Sequence, residues 1–171
     1  MTYFYQLFNP SAILLTLIFF GFQSPYTTAQ ETEKEAMAKL SFLMGDWKGQ
    51  STGFTDGKPT SSVEAYEKIQ YLLDGNILTL DLDSPNLKLH TVITYNLEER
   101  TYYYHPFTKN RAGKYKGAYA DGQLIVYFNE DRRLIFEKTK EGAFHEYGEK
   151  RTPDGNWVKY FEDIFYPTSS R

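Results

Sequence analysis

Three histidines, His90, His105 and His145, are the side chains in this sequence best suited to proton transfer or metal ligation, and no two stand at a metal-ligand spacing. Each is equally accounted for as a surface or hydrogen-bonded strand residue. Asp81 and Asp83, two apart on one strand face, form a carboxylate pair of the kind used in acid–base work, or else the solvated end of a hairpin at Ser84-Pro85-Asn86. The same run lacks the sixth-position glycine and twelfth-position glutamate of a calcium loop. Lys109, Arg111, Lys114 and Lys116 cluster around the turn Asn110 to Gly113. They would steer an anionic head group over the roughly 8 Å that physiological salt leaves unscreened, or simply solvate a loop. Gly-x-Ser-x-Gly, His-Glu-x-x-His, P-loop and Gly-x-Gly-x-x-Gly patterns are absent, and so is cysteine. The last absence rules out disulfides, thiolate zinc sites, a cysteine nucleophile and a lipid-bearing cysteine. No residue nominates itself as acid, base or nucleophile, so the expectation is a binder rather than an enzyme, with no catalytic or metal site.

The whole chain has 171 residues, enough for one domain, with 19 basic and 22 acidic side chains. A net charge of -3 argues against nucleic acid as a partner, because phosphate contacts need clustered excess lysine and arginine. Residues 1–30 carry no charged side chain; the apolar run Ala12 to Phe22 is followed by small and helix-breaking residues up to Ala29. This is the grammar of a signal peptide over 1–29, leaving a domain over 30–171. The segment lacks a basic start, so a retained anchor is the alternative. Export without cysteine fits a bacterial periplasmic or extracellular protein, with no stable membrane insertion once the signal is removed.

Ala36, Leu40, Leu43 and Met44 recur at helical spacing within Glu31 to Met44, and Gly45 ends the pattern. Glu31, Glu33 and Glu35 place negative charge at the positive end of that helix. Beyond it, short runs rich in tyrosine, phenylalanine and β-branched residues alternate with turn chemistry such as Asp56-Gly57, Asp121-Gly122 and Pro153-Asp154-Gly155. The expected strands are 47–54, 62–73, 76–83, 88–95, 101–107, 114–120, 123–128, 133–138, 143–150 and 157–166. Ten antiparallel strands with no helix between them would expose two edges if left open. The fold class expected is therefore all-β, an up-and-down barrel of about ten strands, with a short N-terminal helix burying Leu40, Leu43 and Met44 on one rim.

Leu78, Leu80 and Leu82 alternate with Thr79, Asp81 and Asp83, so one face of that strand is buried. A ten-stranded barrel is wider than the eight-stranded kind whose side chains fill it, which leaves room for a small hydrophobic or amphipathic molecule. Candidate ligand-binding wall residues are Tyr71, Leu80, Tyr104, Tyr115, Tyr119, Phe128 and Phe136, since tyrosine offers a large ring with one polar atom. A register error of one residue would turn each of them outward. The alternative is a barrel plugged by its own rings, acting as an envelope or partner-binding module.

At the helix-to-strand junction, Leu40-Ser41-Phe42-Leu43-Met44-Gly45-Asp46-Trp47-Lys48-Gly49 has the form Leu-x-x-Leu-x-Gly-x-Trp-x-Gly. This resembles the opening of calycins, the superfamily of lipocalins, fatty-acid-binding proteins and nitrobindin-like barrels. The likeness covers roughly residues 36–166, and the Asp154-Gly155-Asn156-Trp157 hairpin resembles uncharacterised secreted bacterial members. The resemblance implies a tight turn at Gly45, a barrel base closed by Trp47, and a strand bend eased by Gly49. It also implies ligand binding in the interior. Nitrobindin-like members bind haem through a histidine on a late strand, which would make His145 the cofactor-binding residue of a haem protein with redox or nitric-oxide chemistry. Such a site needs the imidazole inside the cavity.

Overall fold

The structure, a computed structural model, describes residues 31–168. The signal segment expected over 1–29 lies outside the described residues. Helix α1 (Glu33–Ala38) opens with a reciprocal cap: the Glu35 backbone N–H donates to the Thr32 hydroxyl, and the Glu35 carboxylate accepts from the Thr32 backbone N–H. The helix is shorter than its spacing predicts, because the next turn tightens into a 3-10 segment, Lys39–Leu43. Side chains three apart eclipse in that geometry, so Leu40 and Leu43 point the same way, and both are fully buried. Met44, expected on the same stripe, departs into extended backbone and is exposed; Met37 takes its place in the core.

Ten strands follow: β1 (Gly45–Thr55), β2 (Lys58–Leu72), β3 (Ile77–Asp83), β4 (Lys88–Asn96), β5 (Thr101–Phe107), β6 (Tyr115–Ala120), β7 (Gln123–Asn129), β8 (Arg132–Lys138), β9 (Phe144–Arg151) and β10 (Trp157–Pro167). Each pairs antiparallel with its sequence neighbours, and β1 pairs with β10, so the sheet is a closed barrel. Asp56-Gly57 and Asp121-Gly122 have positive φ at both residues, the requirement of a tight two-residue hairpin that follows the strand twist. The β1–β2 hairpin runs further than the sequence suggests, with a bulge at Gly53/Phe54.

One end of the barrel is stopped by the helix and the 3-10 turn. The Tyr71 and Tyr102 hydroxyls reach up from the interior to donate to the carbonyls of Met37 and Ala36, each at 2.6 Å. Trp47 is 5% exposed; its indole N–H donates to the Leu43 carbonyl at 2.8 Å and its ring lies 5.6 Å from that of Phe144. At Gly49 an added Cβ would sit 1.8 Å from the Ile164 carbonyl oxygen, so β1 and β10 approach in a way no other residue permits.

Candidate functional site

All seven residues expected on the wall face inward. Leu80, Tyr104 and Phe136 are buried in the core, and Tyr71, Tyr115, Tyr119 and Phe128 pack partly buried against it. Two of them serve the lid: Tyr71 through its bond to Met37, and Tyr119 through its ring contact with Phe42. The others form a ring chain. Tyr115 meets Phe128 edge-on at 4.8 Å, Phe128 and Tyr104 are 6.5 Å apart, and Tyr104 is 5.9 Å from Phe136. Phe136, Phe144 and Phe165 then stack in sequence across β8, β9 and β10. Two open recesses stand out, both outside the barrel. A groove of about 390 Å³ is bordered by Asp81, His90, Phe107 and Lys109, and one of about 500 Å³ by Glu31, Asn76 and Leu97.

What distinguishes the interior is acid. Glu67 on β2, Glu146 on β9 and Asp163 on β10 are buried, at 2%, 7% and 3% exposure. Each occupies the inward phase of its strand: Glu67 between Ala65 and Ile69, Glu146 between Phe144 and Gly148, and Asp163 between Phe161 and Phe165. Asp163 stands opposite Glu146 on one side and Ser51 on the other. Both carboxyl oxygens of Glu67, the Thr91 hydroxyl and one oxygen of Asp163 are buried without a hydrogen-bond partner. None of the three acids belongs to an ion pair among the described residues.

Electrostatics follow from that enclosure. Burial, then the nearby Asp163 charge, pushes the Glu67 carboxyl well above the usual range; burial, then Glu67 and Asp163, does the same to Glu146. Burial also raises Asp163, to about 6, with Glu162 adding to the rise and Ser51 and His145 opposing it. Tyr104 is held in its neutral phenol form by burial and by Glu146 and Glu67. The enclosure therefore favours the protonated form at all three acids, and more strongly at Glu67 and Glu146 than at Asp163. That set can both donate and accept hydrogen bonds inside an apolar tube. Sequence reasoning passed over these acids, though the signal was there: an acidic residue in phase with apolar neighbours on a barrel strand.

His145 is not part of this site. It lies in the outward phase, and its ring nitrogens meet Glu137 at 2.8 Å and Glu162 at 2.9 Å. Although burial works against it, Glu162 is held below the ordinary carboxylate range by hydrogen bonds from Lys159 and His145. The haem expectation fails on this placement, because the imidazole faces away from the interior with both nitrogens occupied. His90 pairs with Asp81 at 2.6 Å on the outer wall, and Asp83 pairs with Lys88, so the aspartate pair is a solvated hairpin end. The basic cluster is also dispersed. Lys116 bonds Glu99, Lys114 lies 4.0 Å over the Tyr103 ring, and Lys109 borders the outer groove.

The described residues thus form a ten-stranded antiparallel barrel with a helical stopper and three buried acids in its interior. No protein-family model matches the chain, and no curated protein matches it. Among solved structures, a protein of unknown function from the DUF3598 family of Nostoc punctiforme PCC 73102 aligns over 81% of this chain and 100% of its own, at 6% identity and a TM-score of 0.28.

Proposed function

We propose that this chain is an exported, calycin-like carrier that reversibly holds one small amphipathic molecule inside its barrel, with the polar end against Glu67, Glu146, Asp163 and Thr91. One observation carries the reading: four buried polar atoms of the interior have no partner within the protein. Stranding a buried polar group costs about 1–3 kcal/mol, and native interiors avoid it unless water, an ion or a ligand completes the bonds. The Leu-x-x-Leu-x-Gly-x-Trp-x-Gly opening and the barrel closure support the carrier class, and the uncharged segment over 1–29 supports export. The reading is of binding rather than catalysis, since no histidine, lysine or arginine hydrogen-bonds these acids among the described residues. A barrel filled by its own rings and serving as a partner-binding module is the second reading, favoured by the ring chain from Tyr115 to Phe165.

Titration with the neutral apolar fluorophore N-phenyl-1-naphthylamine separates the two. The carrier gives a saturable rise at one probe per chain, weakened by Tyr104→Ala and untouched by the outer-wall change His145→Ala. No saturable rise, or a response to His145→Ala alone, would favour the filled barrel.

A further inference from the structure

The interior acids have no counter-charge among the described residues. Among the described residues all ion pairs lie on the outer surface or the rims, including Lys48–Glu64, Lys116–Glu99 and Arg133–Glu149. Three strands nonetheless direct carboxyls into the same apolar enclosure. A second observation comes from the same interior: the Thr91 hydroxyl, fully buried on β4 within reach of the Tyr104 phenol, makes no hydrogen bond of ordinary geometry. We propose that the cluster recognises a protonated organic amine, an ammonium group carried on an apolar body. This deepens the carrier reading and rests on it.

An ammonium offers N–H donors, and orphaned carboxyl oxygens on Glu67 and Asp163, close enough to feel each other's charge and with Glu146 in register opposite Asp163, are there to accept them. Phe136 stands in register opposite Glu146 and Tyr104 feels the charge of Glu146 and Glu67, so aromatic rings of the kind that favour a desolvated cation are close by. Anionic head groups would meet like charge in a low-dielectric space. A bare metal ion would need a coordinating group, and no three histidine, aspartate or glutamate side chains among the described residues are grouped to hold one.

Proton balance follows. The amine arrives already protonated and pairs first with the Asp163 carboxylate; a second cluster acid ionises beside it, and that proton leaves to solvent. The titratable groups facing this event are Glu67 from β2, Tyr104 from β5, Glu146 from β9 and Asp163 and Tyr160 from β10, with Glu162 and His145 acting on Asp163 through the wall.

The test is isothermal titration of the full domain with octylamine, octanol and octanoate at pH 7, repeated in two buffers of different ionisation enthalpy. Octylammonium is expected to bind about tenfold or more tighter than octanol, with proton release, and octanoate weakest. Glu67→Gln and Asp163→Asn should each shrink the amine's advantage over octanol, and a cooperative thermal melt reports that the variants are folded. Should a variant not fold, the wild-type order of the three probes and the proton release decide alone. Octanol or octanoate binding as tightly as octylamine would overturn the amine assignment and leave the carrier intact. Failure of all three to bind would overturn both. An amine preference that survives both substitutions, or is abolished by equimolar magnesium chloride, would likewise overturn it.

Discussion

Replacing Asp163 with asparagine isolates the cost of enclosing a charge in this barrel. Burial raises the Asp163 carboxyl from 3.8 to about 6, so folding holds its proton more tightly than the unfolded chain does. A carboxyl shifted in that direction costs nothing below its unfolded pKa and destabilises progressively as pH climbs to the folded one. At 1.36 kcal/mol per pH unit, the penalty reaches about 3 kcal/mol between pH 4 and pH 6 and persists above. Other groups slope the opposite way. Exposed Glu35, Glu64 and Glu99, depressed by hydrogen bonds and cations, finish titrating at lower pH. His105, depressed by burial and by Lys114, gains stability as pH rises toward 6.5. The difference between wild type and Asp163→Asn removes these common contributions. Urea unfolding without ligand should give equal stabilities at pH 4. By pH 7 the variant should be ahead by about 3 kcal/mol, or roughly 10 °C in melting temperature for a domain of this size. A variant no more stable than wild type at pH 7 would refute the claim that Asp163 is an unpaired interior charge.

Gly49→Ala should cost more than about 3 kcal/mol or abolish folding, since its Cβ would lie 1.8 Å from the Ile164 carbonyl oxygen; a melt within a few degrees of wild type would contradict that approach. Trp47→Phe should lose about 1 kcal/mol with the bond to Leu43, and Trp47→Ala about 3–5 kcal/mol with its packing on Phe144, read by chemical denaturation; a Trp47→Phe variant as stable as wild type would mean the indole N–H bond contributes nothing. Tyr102→Phe removes the 2.6 Å bond to the Ala36 carbonyl, so amide exchange over 33–38 should quicken ahead of the strands, and uniform exchange would argue that the stopper is not held by this tyrosine. His145→Ala should leave any spectrum obtained with added haemin unchanged, because the ring sits outside between Glu137 and Glu162; a lost Soret band would reverse that assignment.

Much of the architecture was legible because it is written in local chemistry. Asp-Gly turns, the Leu78, Leu80, Leu82 alternation and the turn spacing gave ten strands whose ends differ from the structure by a few residues, and the edge problem forced closure. The helix was read too long because apolar spacing alone does not separate an α-turn from the 3-10 turn that aligns Leu40 with Leu43. The seven expected wall residues face inward because their strand phase matches that of the buried apolar positions. The acid cluster was missed for a physical reason: Glu67 among Val63-Glu64-Ala65-Tyr66-Glu67-Lys68-Ile69 looks like solvent-facing charge, as Glu64 is, unless its phase is compared with Ala65 and Ile69. His145 drew attention by residue type, whereas its phase, opposite to Phe144, already pointed outward.

Native mass spectrometry of the protein isolated from the cells that make it bears most directly on the carrier claim. One small-molecule mass should remain with the folded barrel at a ratio of one per chain, leave on denaturation, and carry a basic nitrogen. Folded ions found only at the bare mass of the polypeptide, with no companion in the denatured extract, would contradict the account.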